Sequence, residues 1–156
     1  MKAEAIINLL IEKGKTIAVA ESCTGGLLSG TLTSIPGSSK CFGYGVVTYS
    51  NQAKHDLLGI SWQVLNEFGA VSYETAVEMA KSVKKLARAQ IGLSITGIAG
   101  PSGGSERKPV GLVYIGLAGE EFCSAHKFYF TGSREEIRNL SVDKSLDLIL
   151  QYLAEL

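Results

Sequence analysis

The chain has 156 residues, 46% of them apolar and 19% charged, which fits one folded domain with a sizeable core and excludes a disordered polymer. Lys+Arg and Asp+Glu balance at 15 each, and no cluster of basic residues interleaved with aromatics occurs, so nucleic-acid binding through a basic face is not indicated. No apolar run approaches the roughly 18 residues of a membrane span, and three widely spaced cysteines with two distant histidines suggest neither a disulfide framework nor a metal site, which fits a reducing cytoplasm.

Met1-Lys2-Ala3-Glu4 sets an acid directly before the first apolar residues. With Ile6, Leu9 and Leu10 at helical spacing and Gly14 as a stop, residues 3–13 read as an amphipathic helix and not a signal peptide. Thr16 to Ala20 is a short β-branched run, predicted as a buried strand. It ends at Glu21-Ser22-Cys23-Thr24-Gly25-Gly26, after which Leu27, Leu28, Thr31 and Leu32 recur at helical spacing to about Ser34. Ile35-Pro36-Gly37-Ser38-Ser39 breaks that helix, and Phe42 to Tyr49 gives a second strand. Ser50 caps a short helix over 51–58 closed by Gly59, Ser61 caps another closed by Gly69, and Ser72 precedes a longer one. Ala76, Met79, Ala80, Val83 and Ala87 line a single face of that longer helix. Ile91 to Thr96 is a third strand, followed by a loop with four glycines, Gly97, Gly100, Gly103 and Gly104. Strands at 110–118 and 122–130 meet at a hairpin-like turn. Ser133 with Glu136 forms a capping box for a last helix striped by Val142, Leu146, Ile149, Leu153 and Leu156. Helices before, between and after strands predict one domain over 1–156: a three-layer α/β/α sandwich. Its sheet is mixed and mostly parallel, with about five strands and the antiparallel part in the second half.

In such sheets, sites collect on the loops that follow strand ends. A serine at a strand-to-helix turn can attack a carbonyl, and free amides at the helix start can hold the oxyanion. The plainer reading of Ser22 is an N-cap beside a glycine hinge, and the stretch taken alone favours it. A nucleophile needs a base, and Lys54 rises one turn inside its helix on the same face as Ser50. It serves only if its pKa falls from about 10.4 towards 7–8; a solvated charge is the alternative. His55 is a rival base, roughly 100° round the helix. The glycine loop is a candidate cradle for a phosphate, lacking the spacing of a P-loop or a dinucleotide fingerprint. Arg134 and Arg138 are placed to clamp an anion, with surface pairing to Glu135 or another acid as the alternative. Two Ser-x-x-Lys matches, starting at Ser82 and Ser141, lie inside helices and read as exposed helix residues.

Ala20-Glu-Ser-Cys-Thr-Gly-Gly26, Val47-Thr-Tyr-Ser-Asn-Gln-Ala-Lys54, Gly69-Ala-Val-Ser72, the segment from Ser94 to Glu106 and Lys108-Pro-Val-Gly111 together resemble the CinA C-terminal domain family. The likeness runs in order through essentially the whole chain. It implies an α/β/α fold and hydrolysis of the carboxamide of nicotinamide mononucleotide to nicotinate mononucleotide and ammonia, with no metal or organic cofactor. It also implies a small-molecule nucleotide as partner, and a homo-oligomer, with a dimer favoured. Residue by residue, Ser22 matches the family nucleophile, Lys54 its base and Tyr49 an assisting tyrosine. Cys23, Thr24, Gly25, Gly26, Thr96, Gly97, Gly100, Gly103 and Gly104 match substrate-contacting positions, and Arg134 or Arg138 would face the phosphate. The second, N-terminal domain of longer members is expected to lie outside this sequence. A non-catalytic nucleotide sensor using the same pocket is the alternative function, and an interaction module a further one.

Overall fold

The computed structural model covers residues 1–156. Its elements in order are α1 (Lys2–Lys13), β1 (Ile17–Glu21), α2 (Leu27–Thr33), a 3-10 turn at Ser38–Lys40, β2 (Phe42–Val47), α3 (Asn51–Leu58), α4 (Trp62–Phe68), α5 (Tyr73–Ala87), β3 (Ile91–Gly97), β4 (Leu112–Ala118), β5 (Cys123–Tyr129) and α6 (Arg134–Ala154). The punctuation expected from sequence is in place. Ser50, Ser61 and Ser72 each accept from the backbone N–H three residues on, and Ser133 with Glu136 closes a full capping box. Gly14 and Gly59 end their helices in the left-handed region.

The sheet order is β2-β1-β3-β4-β5. β1 pairs in parallel with β2 and β3, β4 runs antiparallel to β3, and β5 antiparallel to β4. Four strands therefore point one way and β4 alone is reversed. β4 starts at Leu112, two residues later than its sequence suggests, because Gly111 leaves the strand direction at φ +96° and donates to the Ile98 carbonyl.

Strand alternation sorts the side chains into two unequal layers. Ile17 and Val19 of β1, Ile91, Leu93 and Ile95 of β3, and Val113, Ile115 and Leu117 of β4 join α1, α2 and α6 in a cluster of 22 buried residues. On the other face Ala18 and Ala20 pack with Leu58, Ile60, Leu65, Met79 and Val83 in a cluster of seven. The residues of β3 and β4 that face α5 are small, so the helix lies close. A Cβ on Gly92 would strike the Ala80 carbonyl, one on Gly116 the Ala76 carbonyl, and Ser94 donates to that same Ala76 oxygen at 2.6 Å. Ser141 departs from expectation. It is fully buried in the apolar face of α6, its hydroxyl satisfied by the Ile137 carbonyl at 2.7 Å, as a small residue can be where helices pack closely. No helix is long and apolar enough to cross a membrane.

Candidate active site

The alternation that builds β1 carries on past its end and sends two neighbouring residues to opposite sides. Glu21 continues the Ile17–Val19 side and reaches under α2, while Ser22 continues the Ala18–Ala20 side and meets α3. The backbone there is pinned from both flanks, since Thr48 N–H donates to the Glu21 carbonyl and Ser22 N–H to the Ile95 carbonyl, each at 2.9 Å. Side chains on a helix lean towards its N-terminus, so Lys54 on α3 points back at Thr48 and Ser22. Its Nζ donates to Ser22 Oγ at 2.9 Å and to the Thr48 carbonyl at 2.7 Å.

Lys54 is 1% exposed, with none of the molecule's ion pairs to compensate it. Burial draws its pKa down to about 8. The neighbouring Cys23 thiol is pushed up to about 11, also by burial, so it stays a neutral thiol at physiological pH. His55 is turned away: its Nδ1 bonds the Ile60 carbonyl at 2.8 Å and its ring stacks on Trp62.

Ser22 is not a helix cap. Gly26 occupies that position, at φ +103°, and offers no side chain. Glu21 caps α2 in its place. Its fully buried carboxylate accepts from the Leu28 and Ser29 N–H groups and from the Thr24 and Ser29 hydroxyls, at 2.6–2.9 Å. The amides of the α2 start are thus spent on Glu21 and are not free for an oxyanion. The turn amides that donate to no protein acceptor are those of Cys23, Thr24 and Gly26, and Cys23 immediately follows the nucleophile candidate. Sequence reading missed Glu21 as a functional group, although it sits inside the quoted motif. Its signal was an acid placed on the apolar parity of a buried strand.

Ser22, Cys23, Lys54 and Tyr49 open onto a cavity of about 270 Å³. Its opposite wall is Thr96, Gly97, Gly100 and Gly103 of the glycine loop, with Ala70 and Val71 closing one side and Arg134 the rim. The loops are tied to each other. Thr96 Oγ1 donates to the Ala70 carbonyl at 2.7 Å, and Lys108 Nζ to the Phe68 carbonyl at 2.6 Å. Tyr49 is 59% exposed, and its hydroxyl accepts from Arg134 at 2.9 Å instead of bonding Ser22 or Lys54. Arg134 also donates to the Gly100 carbonyl at 2.7 Å. Thr24, Gly25, Gly26, Gly104 and Arg138 do not border the cavity. Thr24 is held by Glu21, and Gly104 is packed so closely that a Cβ would lie 2.7 Å from the Val110 nitrogen. Arg138 binds the Cys23 and Thr24 carbonyls from behind. Neither arginine pairs with an acid. A larger groove of about 700 Å³, at the other end of the sheet between α5 and the β4–β5 turn, carries Lys81, Lys84, Lys85 and Arg88 but no paired nucleophile and base.

The family model described as the CinA C-terminal domain matches residues 1–153. A protein of Caldanaerobacter subterraneus subsp. tengcongensis, named for competence-damage induction, is 53% identical over 150 residues, covering 96% of this chain and 36% of that protein. A CinA-like protein of Endomicrobium trichonymphae is 51% identical over 146 residues, 94% of this chain and 34% of its own length. The chain thus spans about a third of the curated relatives it matches. Among solved structures, a CinA superfamily protein from Klebsiella pneumoniae superposes with a TM-score of 0.95 at 30% identity, covering 99% of this chain and 97% of that one. The competence/damage inducible protein CihA from Agrobacterium tumefaciens gives 0.90 at 41% identity, covering 99% and 96%.

Proposed function

The chain belongs to the CinA C-terminal domain family, and from that premise we propose that it is a Ser–Lys amidohydrolase that converts nicotinamide mononucleotide and water to nicotinate mononucleotide and ammonia. The observation that carries this reading is the buried 2.9 Å contact between Ser22 Oγ and a lysine amine whose pKa burial lowers to about 8. In its neutral form Lys54 accepts the Ser22 proton as Oγ attacks the carboxamide carbon. The carbonyl oxygen becomes an oxyanion, held by the unpaired amide of Cys23, which borders the cavity. The C–N bond then breaks, and the Lys54 ammonium protonates the departing nitrogen to give ammonia. Lys54, neutral again, takes a proton from water, whose oxygen attacks the acyl ester; as the ester C–O bond breaks, Lys54 returns that proton to Ser22 Oγ and the acid is released.

The glycine loop supports nucleotide binding by offering backbone groups opposite Ser22, with Thr96 at its root. Arg134, tied to Tyr49 at the rim, is suited to an anionic phosphate. Ammonia release from nicotinamide mononucleotide is the direct test. Ser22→Ala is expected to lower kcat by at least about a thousandfold with ligand binding largely kept, and Lys54→Ala to do likewise while His55→Ala has little effect. Undiminished turnover by Ser22→Ala would remove the nucleophile assignment. Ligand binding by the wild type with no ammonia released would favour the sensor reading.

A further inference from the structure

The groove of about 700 Å³ at the end of the sheet away from Ser22 shares no residue with the cavity there. Its volume lies within the usual range of ligand pockets. One wall is the end of α5, where Lys81, Lys84, Lys85 and Arg88, at i, i+3, i+4 and i+7, reach the same side. Lys81 is occupied by Glu78 at 3.6 Å, but Lys84, Lys85 and Arg88 pair with no acid. Lys84 is half-buried, and its stem packs on β3 so closely that a Cβ on Gly92 would lie 2.7 Å from its own. Two acids stand on the opposite wall. Glu120 is drawn off by Lys15 at 2.8 Å, which leaves Glu121 as the one unpaired acid against three unpaired cations.

Two backbone features point the same way. Arg88 ends α5 at φ +53° and is the one non-glycine residue of the chain in the left-handed region, whereas α1 and α3 end there on Gly14 and Gly59. A side chain in that conformation carries a cost that glycine avoids, and no ion pair of Arg88 offsets it. Across the groove, Gly119 N–H closes the β4–β5 turn on the Phe122 carbonyl at 2.9 Å, while the N–H groups of Glu120, Glu121 and Phe122 donate to no protein acceptor. Successive unpaired amides suit an anion. The exposed Phe122 ring adds an apolar surface beside them.

We infer that this groove is a second ligand site, and that its ligand carries a chain of linked phosphates, either inorganic or the tail of a nucleoside triphosphate. The row from Lys81 to Arg88 runs about 10 Å along the helix axis, a length that matches such a chain and not a single phosphate. Nothing in the inference depends on the reading of Ser22.

The test is equilibrium dialysis of the full chain against ATP, inorganic tripolyphosphate and inorganic phosphate at about 0.15 M salt. The first two are expected to bind with Kd below about 1 mM, and inorganic phosphate at least about tenfold more weakly. Lys84→Met should weaken binding of both chains by about tenfold or more. Arg88→Gly is the sharper variant, because glycine relieves the left-handed strain as it removes the guanidinium. Its Tm should rise while its affinity falls by about tenfold. Arg134→Met, in the other cavity, should change neither. Equal binding of ATP and tripolyphosphate would show that the phosphates alone are read. Tighter binding of ATP, lost in Phe122→Ala, would show that the nucleoside takes part. No binding of either at about 5 mM would overturn the inference. So would binding that survives Lys84→Met and Arg88→Gly, binding lost in Arg134→Met, or inorganic phosphate binding as tightly as the chains.

Discussion

An amine sealed in a protein interior with one hydroxyl and one carbonyl for company is poorly placed to keep its charge. Lys54 is in that position, and burial brings its pKa to about 8. Roughly a tenth of the chains then hold it neutral at pH 7 and nine tenths at pH 9. The kcat/KM for amide hydrolysis should therefore climb about tenfold across that interval, with a midpoint near 8; a flat profile would take the base role away from Lys54. The same shift has a thermodynamic consequence of definite sign. Between the native pKa of about 8 and the unfolded value of 10.5, the unfolded chain binds more protons at this site, so stability rises with pH through that window. The charge-burial cost of about 3 kcal/mol is complete below pH 8 and gone above 10.5. Urea denaturation of wild type and Lys54→Met should thus show the wild type gaining by about that amount, relative to the variant, from pH 7 to 10.5. A pH-independent difference would mean that the amine is solvated in the native protein.

At the scale of elements, β1 and its exit turn determine which side of the sheet each chemical group reaches. Glu21 is the counterweight to Ser22, one residue earlier and on the other face, and it ties α2 to the strand through four hydrogen bonds. Glu21→Ala would strand two backbone donors in a dry setting, a loss of about 3–5 kcal/mol. Ser29→Ala removes one of the four bonds and should cost about 1 kcal/mol, both read from urea midpoints. A Glu21→Ala cost no greater than that of Ser29→Ala would mean that water replaces the carboxylate. The elements themselves were legible because their signals are local: serine caps, glycine stops, a 3.6-residue stripe on α5, short β-branched runs. Ser22 and Lys54 were legible as candidates for the same reason, each standing at a marked junction. Their meeting was not, because it depends on register. Ser22 reaches Lys54 only because β1 lies between β2 and β3, an order no local pattern encodes. The choice between Arg134 and Arg138 was not legible, because an arginine near a helix start has the same local signature whether it faces a ligand or, as Arg138 does, a loop carbonyl. The packing of α6 over the Cys23–Thr24 turn decides which.

Across the whole molecule, the site is assembled from two layers of unequal strength. Ser22 stands at the exit of β1, between β2 and β3, and Arg134 on α6, on the side of the 22-residue cluster, whereas Lys54 arrives from the side held by seven. Within that thinner layer, Leu58 is the one apolar residue of α3 and Leu65 the one residue of α4 that are buried, so little apolar area resists their local opening. Cooperative units of this kind separate under mild denaturant before the main core does. Since α3 carries Lys54, the proposed base, its opening removes that amine from Ser22 while β1, β3 and α6 are still in place. The single tryptophan reports the event, because Trp62 begins α4 and stacks on His55 of α3 at 4.8 Å. In a urea titration, activity and Trp62 fluorescence should fall together, at a lower concentration than the far-UV circular dichroism dominated by the longer α5 and α6. Amide hydrogens of α3 and α4 should exchange ahead of those of α1 and α6. If all three signals and both exchange classes move as one, the layers unfold together, and the thin side owes its stability to α5, which packs on the sheet and on both α3 and α4.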